Sequence, residues 1–174
     1  MNIADFAKGK WLKHPLHPIV VHVPVALWPG ALLFDGLSRI GLGGNGMVQL
    51  SFYSIALGLL AALVAVPTGV LDWGEIRKEK PAWKLGLYHM AVNLVAALLF
   101  AINLGLRFQD FHTARTVAAA PLLLSAIGTV ALIGGAYLGG LMVYDHGIGV
   151  ARMSKDKLRK EAERAGANVP AVKS

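Results

Sequence analysis

Histidine is the residue of this chain best suited to chemistry, and there are 6 of them. His14, His17 and His22 stand together in HPLHPIVVHVP, residues 14–24, threaded with Pro15, Pro18 and Pro24. His89, His112 and His146 follow at wide spacing. A neutral imidazole is a metal ligand and a proton carrier near neutral pH. The clustered three, with prolines between them, are badly spaced for one local site, and no HExxH pattern accompanies them. Any site must therefore be assembled from distant segments.

Composition indicates what those segments are. Of 174 residues, 55% are apolar and only 16% charged, against roughly a quarter charged in soluble proteins. Mean hydropathy is +0.55. Four apolar stretches, at about 18–40, 47–72, 83–106 and 117–144, each reach the roughly 20 residues needed to cross a bilayer. The first is too long for a signal-peptide core and lacks an A-x-A-like site, so it reads as a true span. Short links, GLGGNG (41–46), WGEIRKEKPA (73–82) and RFQDFHTART (107–116), make consecutive spans antiparallel neighbours. The expected fold is all-α, an integral membrane four-helix bundle over 1–150. A short basic tail, 151–174, follows, with a helix over 154–166 bounded by Ser154 and Gly166. No internal repeat is evident.

Several functions are disfavoured. With 0 cysteines there are no disulfides, c-type haem attachments or thiolate-held clusters. GLGGNG lacks the lysine of a phosphate loop, and Ser51, Ser54 and Ser125 have no histidine at matching depth to act as a base. The net charge of +7 is read as loop charge beside lipid, not as a nucleic-acid footprint.

Four spans put both termini and the 73–82 link on one side. That side holds 14 of the 17 Lys and Arg residues; Arg39, Arg107 and Arg115 hold the other. The positive-inside rule makes the basic side cytoplasmic, with Trp11, Trp73, Trp83, Tyr88 and Tyr144 as its aromatic belt. The expected location is a bacterial inner membrane.

Topology then gathers the histidines. His14, His17 and His22 open the first span, His89 lies just inside the third and His146 follows the fourth, all at the cytoplasmic leaflet. Only His112 is opposite. His89, Asn93, Ala96, Phe100 and Asn103 share one helical face, and two asparagines are costly against lipid, so that face turns inward. On the fourth span Gly128, Gly135, Gly139 and His146 form a stripe. It suits helix packing, or alternatively a slot for a flat cofactor. Pro24, Pro29 and Pro67 free the carbonyls of Val20, Val25 and Leu63 and kink their helices.

Haem b is the leading cofactor: two neutral imidazoles on facing helices can ligate iron from both sides. The favoured axial pair is His22 with His89, and His17 and His146 are reserves. Asn93 lies beside the site, and Arg152, Lys13 or Lys84 would hold the propionates. The expected function is haem-based electron transfer, alone or as a subunit of a respiratory or redox assembly, with a partner protein or quinone. Zinc or copper with Asp72 or Asp145 is a weaker reading. The alternative class is a non-redox membrane protein, either a small transporter or an assembly subunit. Asp35, Asn103, Arg107 and Asp110 near the outer side would supply a transporter's polar path, with Asp35 itself expected at the interface. The small size suggests an oligomer or a place in a complex.

HPLHPIVVHVPVALW, PTGVLDW, YHMAVN and GGLMVYDHGIGV resemble a bacterial membrane family, the domain of unknown function numbered 2231, over about residues 14–151. The resemblance implies a four-span inner-membrane protein, in some members joined to Rieske or cytochrome c modules. It supplies no established activity. His17, His22, His89 and His146 match its recurring polar positions. No such module is seen in this sequence, so a redox partner would be a separate protein.

Overall fold

A computed structural model describes residues 6, 9–12, 14–150 and 155–167. Helices α1 (Leu16–Val20) and α2 (His22–Arg39) make the first span. They are followed by α3 (Asn45–Trp73), α4 (Pro81–Arg107), α5 (Ala119–Tyr144) and α6 (Lys155–Arg164). Four spans of membrane length and apolarity are present, and this is a membrane protein with an all-helical fold. Leucines such as Leu63, Leu98 and Leu60 stand exposed around the outside, where lipid tails would cover them.

Local chemistry explains the boundaries. The first span breaks at Val21 because Pro24 has no N–H to give the Val20 carbonyl. Pro81 starts α4 at a position where that missing donor costs nothing. The α2–α3 turn runs through Gly41 and Gly43, at φ +82° and +67°, a backbone that other residues rarely adopt.

The spans form a ring, α2 on α3, α3 on α4, α4 on α5 and α5 on α2. Helices α2 and α4 are therefore diagonal. The spans α2 and α4 each bury a seam that advances in alternating steps of three and four residues, the repeat of helices packing at shallow angles. On α2 the seam is Pro24, Trp28, Ala31, Asp35 and Ser38. On α4, Ala96, Phe100, Asn103 and Arg107 are buried, continuing the line of His89 and Asn93.

Within each hairpin, large side chains face small ones. A Cβ on Gly128 would lie 2.8 Å from the Phe100 ring, and one on Gly139 would lie 3.0 Å from that of His89; Gly135 is filled by Asn93. The first hairpin repeats the scheme: Trp28 fills the space of Gly58, and a Cβ on Gly69 would come within 2.8 Å of His17. The glycines thus serve close helix packing, and side chains occupy the slot that a flat cofactor would need at the stripe. The sequence reading finds no repeat, yet the two hairpins use one packing pattern. It is hidden because its polar and aromatic positions change identity between the copies.

Candidate functional site

Side chains from the diagonal helices meet on the bundle axis in three layers. At the end where α1 begins, the rings of His17 and His89 lie 6.3 Å apart and crossed at 82°. Midway, Trp28 stacks on Phe100 at 4.4 Å. At the far end Asp35 and Arg107 form an ion pair at 2.6 Å. Eighteen helical residues separate His17 from Asp35, about 27 Å. The hydrocarbon core is about 30 Å thick, so each polar layer sits near one boundary and the apolar stack sits between.

The histidine layer is built alike on both sides. His17 Nδ1 lies 2.8 Å from the Ala65 carbonyl, and His89 Nδ1 lies 2.8 Å from the Gly135 carbonyl. A carbonyl only accepts, so both Nδ1 atoms carry a proton, which in the neutral ring leaves the lone pair on Nε2. This is the arrangement in which an outer hydrogen bond orients a metal-binding imidazole. Thr68 also donates to the Ala65 carbonyl, at 2.9 Å. Asn93 donates to the carbonyl of His89 at 2.8 Å and packs beside the ring.

The structure brings His17 to His89, not His22. His22 is exposed on the bundle surface, and its Nδ1 lies 3.3 Å from the carbonyl of Ile19, its own neighbour in the chain. Three residues along a helix turn a side chain by about 300°, and five by about 500°, so His17 and His22 lie on different faces. His146 lies half-buried in the turn after α5, and His14 and His112 are exposed. Lys84 is exposed at the start of α4, and Arg152 and Lys13 lie outside the described residues. Among the described residues no group of three His, Cys, Asp or Glu could hold a metal, which leaves zinc without its usual four-ligand set.

The far layer is the site that sequence reasoning misjudged. Asp35, expected at the interface, is 0% exposed, and Arg107, read as a loop charge, is 4% exposed. Every N–H of the guanidinium is used. Nη1 donates to Asp35 Oδ1 at 2.6 Å and to Ser51 at 2.8 Å. Nη2 donates to Asp35 Oδ2 at 2.6 Å and to Ser125 at 3.1 Å, and Nε donates to Asn103 Oδ1 at 2.7 Å. Ser125 in turn donates to Asp35 Oδ2 at 2.7 Å. One available signal was the four-residue step from Asn103 to Arg107, which places the arginine on the inward face already assigned to α4.

No curated protein and no solved structure matches the chain. The profile of the family described as "Predicted membrane protein (DUF2231)" matches residues 13–152. That stretch contains all four spans and both polar layers, and the chain belongs to this family of membrane proteins.

Proposed function

We propose that this protein binds haem b between His17 and His89 and carries electrons in the bacterial inner membrane, alone or as the haem subunit of a redox assembly. The observation that carries the reading is the His17–His89 pair itself. An imidazole nitrogen lies about 2.0 Å from a bound metal and roughly 1.1 Å from its ring centre, so ligands on opposite sides of one ion place ring centres roughly 6.2 Å apart. A tetrahedral ion would bring them to roughly 5 Å. The separation here is 6.3 Å, close to the spacing of ligands on opposite sides of one ion. The pair has His17 in place of His22, with the glycine stripe as packing for the ligands.

In this reading His17 and His89 would hold the haem, which when bound would supply one-electron redox chemistry in a low-polarity setting. The chain's own residues provide the frame. Ala65 and Gly135 hold the two rings by their carbonyls, keeping Nε2 free on each. Gly69 and Gly139 let the rings approach their partner helices closely. The Trp28–Phe100 stack closes the bundle beyond the site and keeps water from crossing. The basic-residue count places the histidine layer on the cytoplasmic side, within reach of a partner protein or quinone.

The transporter alternative is less well supported. A cavity of about 470 Å³ lies at the far end, lined by Arg39, Arg107, Asp110, Thr113 and Thr116 among others. Arg107 has no N–H left for a ligand there, and opening that end would break a saturated buried network.

The test is the visible spectrum of protein purified in detergent from cells well supplied with haem, oxidised and then reduced. A Soret band with a sharp reduced α-band, lost in His17→Ala and in His89→Ala but kept in His22→Ala, is the expected result. Colourless protein sinks the proposal, and metal analysis of that sample would then decide whether copper takes the pair instead.

A further inference from the structure

The three axial pairs share one numerical relation. His89 follows His17, Phe100 follows Trp28 and Arg107 follows Asp35 by the same 72 residues (89 − 17, 100 − 28, 107 − 35). The backing helices repeat as well. The carbonyls of Ala65 and Gly135 that accept from the two histidines, and the packing glycines Gly58 and Gly128, and Gly69 and Gly139, are each 70 apart (135 − 65, 128 − 58, 139 − 69). The two-residue difference is absorbed in the turns of the hairpins. Along the first helices Val20, Val23, Leu27 and Leu32 recur as Val92, Val95, Leu99 and Leu104.

We infer that the chain is two copies of one helical hairpin facing each other across a pseudo-twofold axis, and that the Asp35–Arg107 pair makes the first copy's surface fit the second copy and not itself. Two of the three layers are like with like. Histidine on histidine and aromatic on aromatic would form equally well if a hairpin met another copy of itself. Only the third layer distinguishes. First with first would bury two carboxylates, and second with second would bury two guanidiniums, at positions that are 0% and 4% exposed. An uncompensated buried charge is among the most costly defects a protein interior can carry, so rejection of the wrong partner is built in. The same layer sets the axial position. A slide of one hairpin by seven residues would match seam to seam again, but would part the ion pair by about 10 Å.

Charge reversal tests this on the full chain in detergent, by yield of monodisperse protein and by thermal midpoint. Asp35→Arg and Arg107→Asp alone should each lower the folded yield about tenfold or more. The double reversal, Asp35→Arg with Arg107→Asp, should recover a large part of that loss, because the two positions are equivalent by the axis. Part of the hydrogen-bonding shell can be transposed with it: by the same offsets Ala31 corresponds to Asn103 and Ile55 to Ser125, while Ser51 has Pro121 as its counterpart. Adding Ala31→Asn, Asn103→Ala, Ile55→Ser and Ser125→Ile should raise the yield above the double reversal, short of the unmodified protein. If neither reversed variant exceeds the single reversals, the equivalence is wrong and the pair is only a local bond around Arg107. Haem content plays no part in the readout, so the result stands apart from the proposed function.

Discussion

Asp35 and Arg107, which are 72 residues apart in sequence (107 − 35), meet through two parallel hydrogen bonds of 2.6 Å, with Asp35 fully buried and Arg107 nearly so. Helices α2, α3, α4 and α5 all contribute to this one network, through Asp35, Ser51, Asn103 with Arg107, and Ser125. It ties the bundle together at one end, while the histidine layer lies about 27 Å away at the other.

Removing one charge should be worse than removing both. Asp35→Ala or Arg107→Ala strands the partner in the interior and should cost about 3–5 kcal/mol. Asp35→Ala with Arg107→Ala leaves no uncompensated charge and should cost less than either single change. A double-mutant cycle on unfolding in mixed micelles measures the coupling; additive losses would contradict the pairing.

Glycine replacements should divide by what faces them. Gly58→Ala drives a methyl into Trp28, and Gly128→Ala places one 2.8 Å from Phe100. Overpacking of this kind costs roughly 1–3 kcal/mol. Gly36→Ala has nothing within 4 Å and removes a helix-weakening residue, so it should be neutral or stabilising by up to about 1 kcal/mol. Thermal midpoints of the three variants check the ordering.

The two histidine-facing glycines should act on the site more than on the fold. A Cβ on Gly69 or Gly139 meets an imidazole, at 2.8 and 3.0 Å, and would push His17 or His89 off its carbonyl. If the pair holds haem, Gly69→Ala and Gly139→Ala should each shift the reduced α-band or weaken retention by about tenfold or more. Haem titration of the two variants, with Gly134→Ala as the control, would show it. Unchanged spectra in both would argue that the pair is not the ligand set.

Ser38 should matter more than an ordinary serine. Its hydroxyl donates to the Asp35 carbonyl at 2.8 Å and accepts the Val117 N–H at 3.1 Å. Ser38→Ala leaves that buried N–H without a partner, at a cost of about 1–3 kcal/mol. Hydrogen exchange at Val117 should rise in the variant while exchange along α3 stays unchanged.

How much was legible beforehand varies by feature. The four spans follow from apolar length, because a bilayer makes that requirement regardless of packing. The inward face of α4 follows from two asparagines at helical spacing, and the glycine stripe of α5 follows from its own period. Depth and face together put His89 on the inward side of α4, as the structure has it, while the expected neighbour His22 is replaced there by His17. Counting from the helix starts matches His22 to His89 in depth, but in the structure His17, five residues nearer the entrance, is the ring beside His89, and His22 is turned outward.

Sequence by itself thus determined the class of the protein, the number and ends of its spans, and that His17, His89 and His146 fall toward one end of the bundle. Those depend on properties summed along one helix: length, apolarity and charge. Tertiary structure alone decided that α2 and α4 are diagonal. That placement makes His17 the partner of His89, Trp28 that of Phe100 and Asp35 that of Arg107, and turns an apparent interfacial acid and a loop arginine into a buried lock. Pairings across an axis belong to two helices at once, and no single segment encodes the rotation and register that bring them together.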